Sequence, residues 1–519
     1  MISLQTARVP GSFLQRAVRN FLFSGLGTAA NLILGFLFAG LTIRYLGEAR
    51  AGYFMALAAL TGLNTLLGDF GLGVPAVRRV AALNAAGDLA TARRVVGSIC
   101  TTSLASSLSV AVLVIVCFTP IFRWARLSGE YENDAYFATV FTLAGFVLSQ
   151  ASSPWRSTYN ALERYDLISV LDSVFGLLSG VCGIGILIVA PTMTALAATR
   201  LFLSLVRFVV DAGLSRRLLQ GTIWPAWYWP LVKPLLRFGT WVYIGNLGSL
   251  LLGRVISLIL TTTLGSAALP YYELPQRLYT QIHGAIASQS QFLFPMLASY
   301  GDRVVDQIRR VEDRLRWLIA VASGGVYCAI GLLGVDLISA IVNPEFASRV
   351  RPLLYLACIQ GFFEAQDVVP YFCSHAIGIG HPNSLIYLSQ SICVAGTALM
   401  LILHFGVLGA SVAQLWVIPA VVAHLVWVQK LISPTRPRLA WISSYLSPCL
   451  MILVWLTAAL LARRITRPGL VPSLVACVVG AVAGGAVLFI VEANLLKHNE
   501  RWATFSRIIL HPFNRAASI

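Results

Sequence analysis

Apolar runs of about 20 residues recur along the whole chain, and each is long enough to cross a bilayer as a helix. Candidate spans lie near 20–43, 51–70, 96–118, 135–153, 167–189 and 192–211. A second set lies near 238–262, 267–297, 317–340, 351–372, 384–404 and 407–429, and two more near 444–462 and 470–491. Backbone groups in hydrocarbon have no water to bond, so each run must close its own hydrogen bonds as a helix. The fold class read from this pattern is an all-α polytopic membrane protein with about fourteen spanning helices. Composition agrees: 57% of residues are hydrophobic and 11% charged, against about 25% charged in a soluble domain. The first run is too long for a signal-peptide core and lacks a clear cleavage site, so it reads as an anchor.

An even number of spans places both termini on one side. Lys and Arg are retained in cytoplasmic loops, and most of the 38 fall on the side of the termini. Both termini are therefore expected in the cytoplasm. The loop holding Arg463, Arg464 and Arg467 is an exception to this rule. The net charge of +17 reflects the inside bias and contact with anionic lipids. No nucleic-acid partner is expected, because no basic soluble domain is present.

A corner recurs. RYLGEARAGYF turns at Leu46-Gly47, and TTTLGSAALPYY turns at Leu264-Gly265, 218 residues later. NALERYDLISV (160–170) falls on GIGHPNSLIYL (378–388) at the same offset. A unit of six spans returns the chain to its starting side, so the two copies form a parallel repeat. The expected domains are a six-helix bundle over 1–214, an interfacial linker over 215–237, a second six-helix bundle over 238–430, and two extra helices with a basic tail over 431–519. Trp224, Trp227 and Trp229 of the linker belong at headgroup level.

RYLGEARAGYF followed by GDFGLGVPAVRRVAALNAAGD (68–88) resembles the first hairpin of Wzx-like oligosaccharide flippases, polysaccharide transporters of the MATE-like (MOP) superfamily. LVKPLLRFG, LLGRVISLILTTTLG and HFGVLGASVAQL (404–415) resemble the same family, in order and at suitable spacing. One departure stands out: an Asp often precedes the Arg of the seventh helix there, and here Gly253 precedes Arg254. The resemblance implies a bacterial inner-membrane flippase that moves a polyprenyl-diphosphate-linked oligosaccharide outward for O-antigen, capsule or exopolysaccharide synthesis, alongside polymerase machinery. It implies alternating access through a cavity between two bundles.

The residues agree with that implication. An Arg at a helix centre costs about 2.5–3.5 kcal/mol on insertion scales, and an anionic diphosphate needs a cationic lining. Arg200, Arg254 and Arg277 are the leading candidates, with Arg44 at the outer mouth. Asn31 and Asn64 could bond sugar hydroxyls or neighbouring helices. Arg277 follows Glu273 at i+4, a spacing that equally suits an intrahelical ion pair. Glu273, Glu364 and Asp367 are candidates for proton or sodium coupling; the plainer reading pairs each with an Arg. Arg207 reads as a snorkelling side chain, and Asp69 as a turn residue facing Arg78-Arg79. His404 and His424 read as helix-end or packing residues, and His283 as the one histidine with a functional prospect. The nine cysteines read as packing groups.

No metal spacing, phosphate loop or cofactor motif is present, and the longest outer loop, 119–134, is too short for a catalytic domain. An enzyme is not expected. The alternatives are a MATE-type exporter of organic cations, whose cavity should be acidic, and a flippase for a peptidoglycan lipid precursor.

Overall fold

The computed structural model describes residues 32–69, 73–127, 129–162, 164–223, 225–233, 254–290, 304–377, 379, 381–433, 442, 444–465 and 469–492. Asn31, Trp224 and Arg467 lie outside them, as do the side chains of Asn64, Asp69 and Arg78. The described secondary structure is helical. Its first helices are α1 (Leu32–Leu46), α2 (Glu48–Asp69), α3 (Gly73–Ala85), α4 (Leu89–Val116), α5 (Phe118–Trp124), α6 (Glu132–Ala161), α7 (Tyr165–Val189) and α8 (Met193–Leu218). Then come α9 (Ile256–Leu264), α10 (Leu269–Ser290), α11 (Val304–Ile341), α12 (Pro344–Ala365), α13 (Val368–Ala376), α14 (His381–Phe405), α15 (Val407–Ala413), α16 (Val417–Ile432), α17 (Leu446–Ile465) and α18 (Leu470–Ile490).

Capping side chains set several starts. Asp88 accepts from the Thr91 N–H (3.0 Å), Thr192 from Ala195 (3.1 Å) and Asn343 from Phe346 (2.7 Å), satisfying donors that a helix N-terminus leaves open. The hydrogen bonds from Thr91 hold the Asp88 carboxyl below its ordinary range. Within the spans, buried hydroxyls such as Thr42, Thr139 and Ser323 donate to carbonyls four residues earlier, so they find partners within their own helices.

Among the described residues, nine helices are long and apolar enough to cross a membrane, which makes this a multi-pass membrane protein. Within the described residues the expected runs coincide with helices, with three differences; 20–31 of the first run, 238–253 of the seventh and 291–297 of the eighth lie outside the described residues. GVPAVRRVAALNA, read only as part of a hairpin, forms the separate helix α3. The run 351–372 breaks into α12 and α13 at Gln366-Asp367. The run 407–429 is interrupted by a tighter turn at Gln414–Trp416.

The described chain divides into two compact units. One draws on Met1–Leu46, Thr61–Arg123 and Ser128–Tyr243; the other on Gly47–Leu60, Trp124–Leu127 and Ile244–Ile519. The division passes through α2.

The glycines of both recurring corners fall in the second unit, and the corners are built alike. Gly47 has φ +80° and Gly265 φ +89°, a region that glycine enters without steric cost. The corners also touch. Tyr271 Oη donates to Glu48 Oε1 (2.6 Å), and a Cβ at Gly52 would fall 1.7 Å from the Ser266 carbonyl oxygen. Ser266 N–H donates to the Ala125 carbonyl (2.8 Å), the Phe346 ring stacks on Tyr271 at 4.6 Å, and Arg349 donates to Tyr271 Oη (3.2 Å). All these stretches are ones that the charge rule assigns to the outer side. In the first unit, connections assigned to the inner side meet: Arg93 donates to the carbonyls of Leu219 (2.8 Å) and Gln220 (3.2 Å), and Ala226 N–H to Gly97 (3.4 Å). Reporter fusions after residues 165 and 380 should therefore read cytoplasmic, and fusions near 128 and 345 periplasmic. If 128 and 165 report one side, the first-half topology is wrong.

The last two helices pack on α11. Trp317 Nε1 donates to Ser447 Oγ (3.1 Å) at one end, and Arg463 to Asp336 (2.5 Å) at the other, so α17 runs parallel to α11. Three intervening crossings, in α12, α14 and α15–α16, give that sense by strict alternation. Arg463 thereby loses its status as a bare exception to the charge rule. Its guanidinium is matched by the Asp336 carboxylate, which Ser473 Oγ also donates to (2.5 Å).

Candidate functional site

The polarity of α10 has a structural cause. Glu273, Gln276, Arg277 and Thr280 follow the i, i+3, i+4, i+7 spacing that gathers side chains on one helix face, and that face borders a cavity of about 620 Å³ in the second unit. Arg254 enters the same cavity from a wide, π-type turn just ahead of α9. Such turns concentrate at functional positions.

A ladder of amides crosses the cavity wall. Gln276 Nε2 donates to Gln360 Oε1 (3.0 Å), Gln360 Nε2 to Gln414 Oε1 (3.4 Å), and Gln414 Nε2 to Tyr272 Oη (2.7 Å). The tighter turn at Gln414–Trp416 sets the last rung. Gln390 lines the same space. Arg277 Nε lies 3.9 Å from Glu273 Oε2, so the i, i+4 pair read from the sequence forms, at long range. Ser257 Oγ donates to Glu273 Oε1 (2.5 Å). Glu273 is thus held by an Arg and a hydroxyl.

Among the described residues the other two acids do not pair with arginine, contrary to the plainer expectation. Glu364, in the last turn of α12, accepts from Tyr279 Oη. Asp367, at the joint between α12 and α13, accepts from Tyr387 Oη and faces His424 Nδ1 at 2.6 Å. They border a second cavity of about 580 Å³, together with His283, Tyr371 and His375. Glu364 and Tyr387 line both cavities. His424 is fully buried and stacked on Trp427, in keeping with its reading as a packing residue, and its contact with Asp367 is an addition to that reading. His283, stacked near Tyr279 (6.1 Å), does reach the second cavity.

The first unit has its own cationic cavity, about 310 Å³, lined by Arg156, Arg200 and Arg207 with Ser149, Ser152 and Ser204. The Arg200 guanidinium lies over the Phe38 ring at 5.2 Å. Arg207 is not a snorkelling side chain. It bonds Asp211 (3.1 Å) and Asp172 (2.9 Å), and Arg156 bonds the same Asp172 (2.8 Å). Arg44 is exposed at the end of α1 and borders none of these three cavities.

Sequence reasoning missed Arg156, Asp172, Asp211, the glutamine ladder and the tyrosines on the acids. The glutamines carried a usable signal, since an amide inside hydrocarbon must find a partner. Asp172 and Asp211 carried the same signal as the acids that were noticed. Among the described residues, no group of three His, Cys, Asp or Glu side chains could hold a metal ion.

The sequence profile of a family described as "Polysaccharide biosynthesis protein" matches residues 17–300, more than half of the chain. A Shigella flexneri protein described as an O-antigen transporter is 22% identical over 403 residues, covering 76% of this chain and 93% of that protein. Among solved structures, the lipid II flippase MurJ in an inward closed conformation superposes with a TM-score of 0.72 at 14% identity, over 92% of this chain and 100% of that one. An inward-facing multidrug resistance MATE family transporter of the MOP superfamily superposes with a TM-score of 0.58 at 16% identity, over 79% and 95%. At these identities the likeness establishes the fold.

Proposed function

The chain belongs to the polysaccharide biosynthesis protein family, and from that premise we propose that it is a flippase for a polyprenyl-diphosphate-linked oligosaccharide. The observation that carries the reading is one intramembrane cavity in which Arg254 and Arg277 share the wall with Gln276, Gln360, Gln390 and Gln414. Guanidinium binds phosphate oxygens in pairs. A row of amides offers both donors and acceptors to sugar hydroxyls. The ladder joins Asn31 and the Asn64 side chain, which lie outside the described residues, as candidate partners for sugar hydroxyls. The Arg200 cavity gives the first unit a cationic surface of its own for phosphate, and Arg44 is a charge at the end of α1.

Alternating access of two six-helix bundles, 1–214 and 238–430, is part of this proposal. So are residence in a bacterial inner membrane, cytoplasmic termini, fourteen spans, and work beside a polymerase. Glu273, Glu364 and Asp367 would couple transport to an ion. The cation-exporter alternative calls for an excess of acid, yet in the larger cavity Arg254 and Arg277 balance Glu273 and Glu364. Deletion in the native host should make a lipid-linked glycan accumulate on the cytoplasmic leaflet. Accumulation of a peptidoglycan precursor would favour the neighbouring reading, and no accumulation of either would remove both.

A further inference from the structure

The pair formed by Asp367 and His424 has a form that a plain structural contact does not need. Both side chains are buried, His424 fully. His424 Nδ1 faces Asp367 Oδ1, while Nε2 is buried with no hydrogen-bond partner among the described residues. Tyr387 donates to the other carboxylate oxygen.

With a neutral imidazole, Nδ1–H donates to the carboxylate and the pair carries one negative charge. A proton taken up on the Nε2 lone pair makes the imidazolium and cancels that charge. Burial of net charge is costly in a low dielectric, and His is the side chain suited to exchanging a proton near neutral pH.

Other charged and titratable groups surround the pair. Arg316 of α11 is engaged by Glu312 of the same helix. Glu364 at the end of α12 accepts from Tyr279. Among the described residues, the remaining titratable groups near the pair are His283 of α10 and His375 of α13, which line the same cavity as Asp367, Tyr371 and Cys373 of α13, Tyr387 of α14, and Tyr445, which stands within electrostatic reach of Asp367, Arg316 and Asp313. The tyrosines are neutral below about pH 10. Asp367 opens on the smaller acid-lined cavity, and Tyr387 borders both that cavity and the arginine–glutamine one. A change of charge at the pair is therefore one side chain away from the place proposed for substrate.

We propose that His424, held by Asp367, is a proton-binding site, so that the ion coupled to transport in this unit is a proton carried on Nε2. This rests on the reading of the chain as a transporter and specifies the ion that Glu364 and Asp367 left open. Proton uptake adds one H⁺ to a lone pair; no bond within the protein breaks.

Trp427 provides a probe that needs no glycan. Its ring stacks on His424 at a centroid distance of 5.8 Å, and an imidazolium at that distance quenches indole emission. The experiment is a pH titration of purified full-length protein in nanodiscs, taking wild-type emission minus that of Trp427→Phe. A single quenching transition is expected on acidification. It should persist when sodium is replaced by N-methylglucamine, persist in His375→Gln and in His283→Gln, and vanish in His424→Gln. A flat wild-type difference signal overturns the proposal, and so does a transition that survives in His424→Gln or requires sodium. The wild-type arm leaves His424 unsubstituted, so it decides even where His424→Gln fails to fold. A transition without glycan export in cells removes the glycan reading and keeps the proton site; normal export with a flat signal removes the proton site alone.

Discussion

In a deletion host complemented with Arg254→Ala, Arg277→Ala or Arg200→Ala, glycan export is expected to fall while the protein remains at its normal membrane level. Each arginine borders a polar cavity. A charge-assisted hydrogen bond contributes about 1.5–3 kcal/mol, which corresponds to roughly ten- to a hundredfold in affinity. Lys keeps the charge and loses the planar fork, so Arg→Lys should rescue export in part. Arg207→Ala provides the contrast. Asp211 is fully buried and bonds Arg207 and Tyr159, so removing the guanidinium leaves an uncompensated buried charge, at about 3–5 kcal/mol. That variant should lose abundance, not only transport. If all three cavity variants export normally at normal abundance, the cationic-site reading fails and the cation-exporter alternative gains.

Gly52→Ala should cost more than any other single methyl group added to the described chain. The new Cβ would stand 1.7 Å from the Ser266 carbonyl oxygen and 3.0 Å from the Pro270 ring. The nearest obstacle is backbone, so no rotamer change relieves it. Overpacking typically costs about 1–3 kcal/mol and occasionally more, and a backbone clash belongs at or beyond the upper end. Membrane abundance and thermal stability in detergent should both drop. Gly185→Ala and Gly284→Ala, whose added Cβ meets nothing within 4 Å, should leave both unchanged. Equal behaviour of the three variants would show that the two corners do not pack as described.

Much of the fold was legible because hydrocarbon leaves a backbone few options. Apolar length alone located the helices, and the Leu-Gly spacing located two corners whose glycines do adopt positive φ. The i, i+4 spacing foresaw the Glu273–Arg277 pair. The candidate site was legible only in part. Cost arguments drew attention to Arg200, Arg254 and Arg277, and each does border a cavity. They passed over glutamine, whose burial cost is smaller and whose ladder exists only when α10, α12 and the turn at Gln414 converge.

The sequence by itself determined that the chain is a series of spanning helices, roughly where most of them lie, and that charge is kept within them at a few positions. Those facts are local: they follow from transfer free energy and backbone hydrogen bonding, which act over one helix at a time. Only the tertiary structure decided what each charge meets. Asp367 was expected to meet an arginine and meets His424, 57 residues away. Arg207 was expected to reach lipid and meets Asp172 and Asp211. Arg463, an exception to the charge rule, meets Asp336, 127 residues earlier. A side-chain partner across a bundle depends on helix rotation and register. Packing fixes both, and no spacing along one chain encodes them.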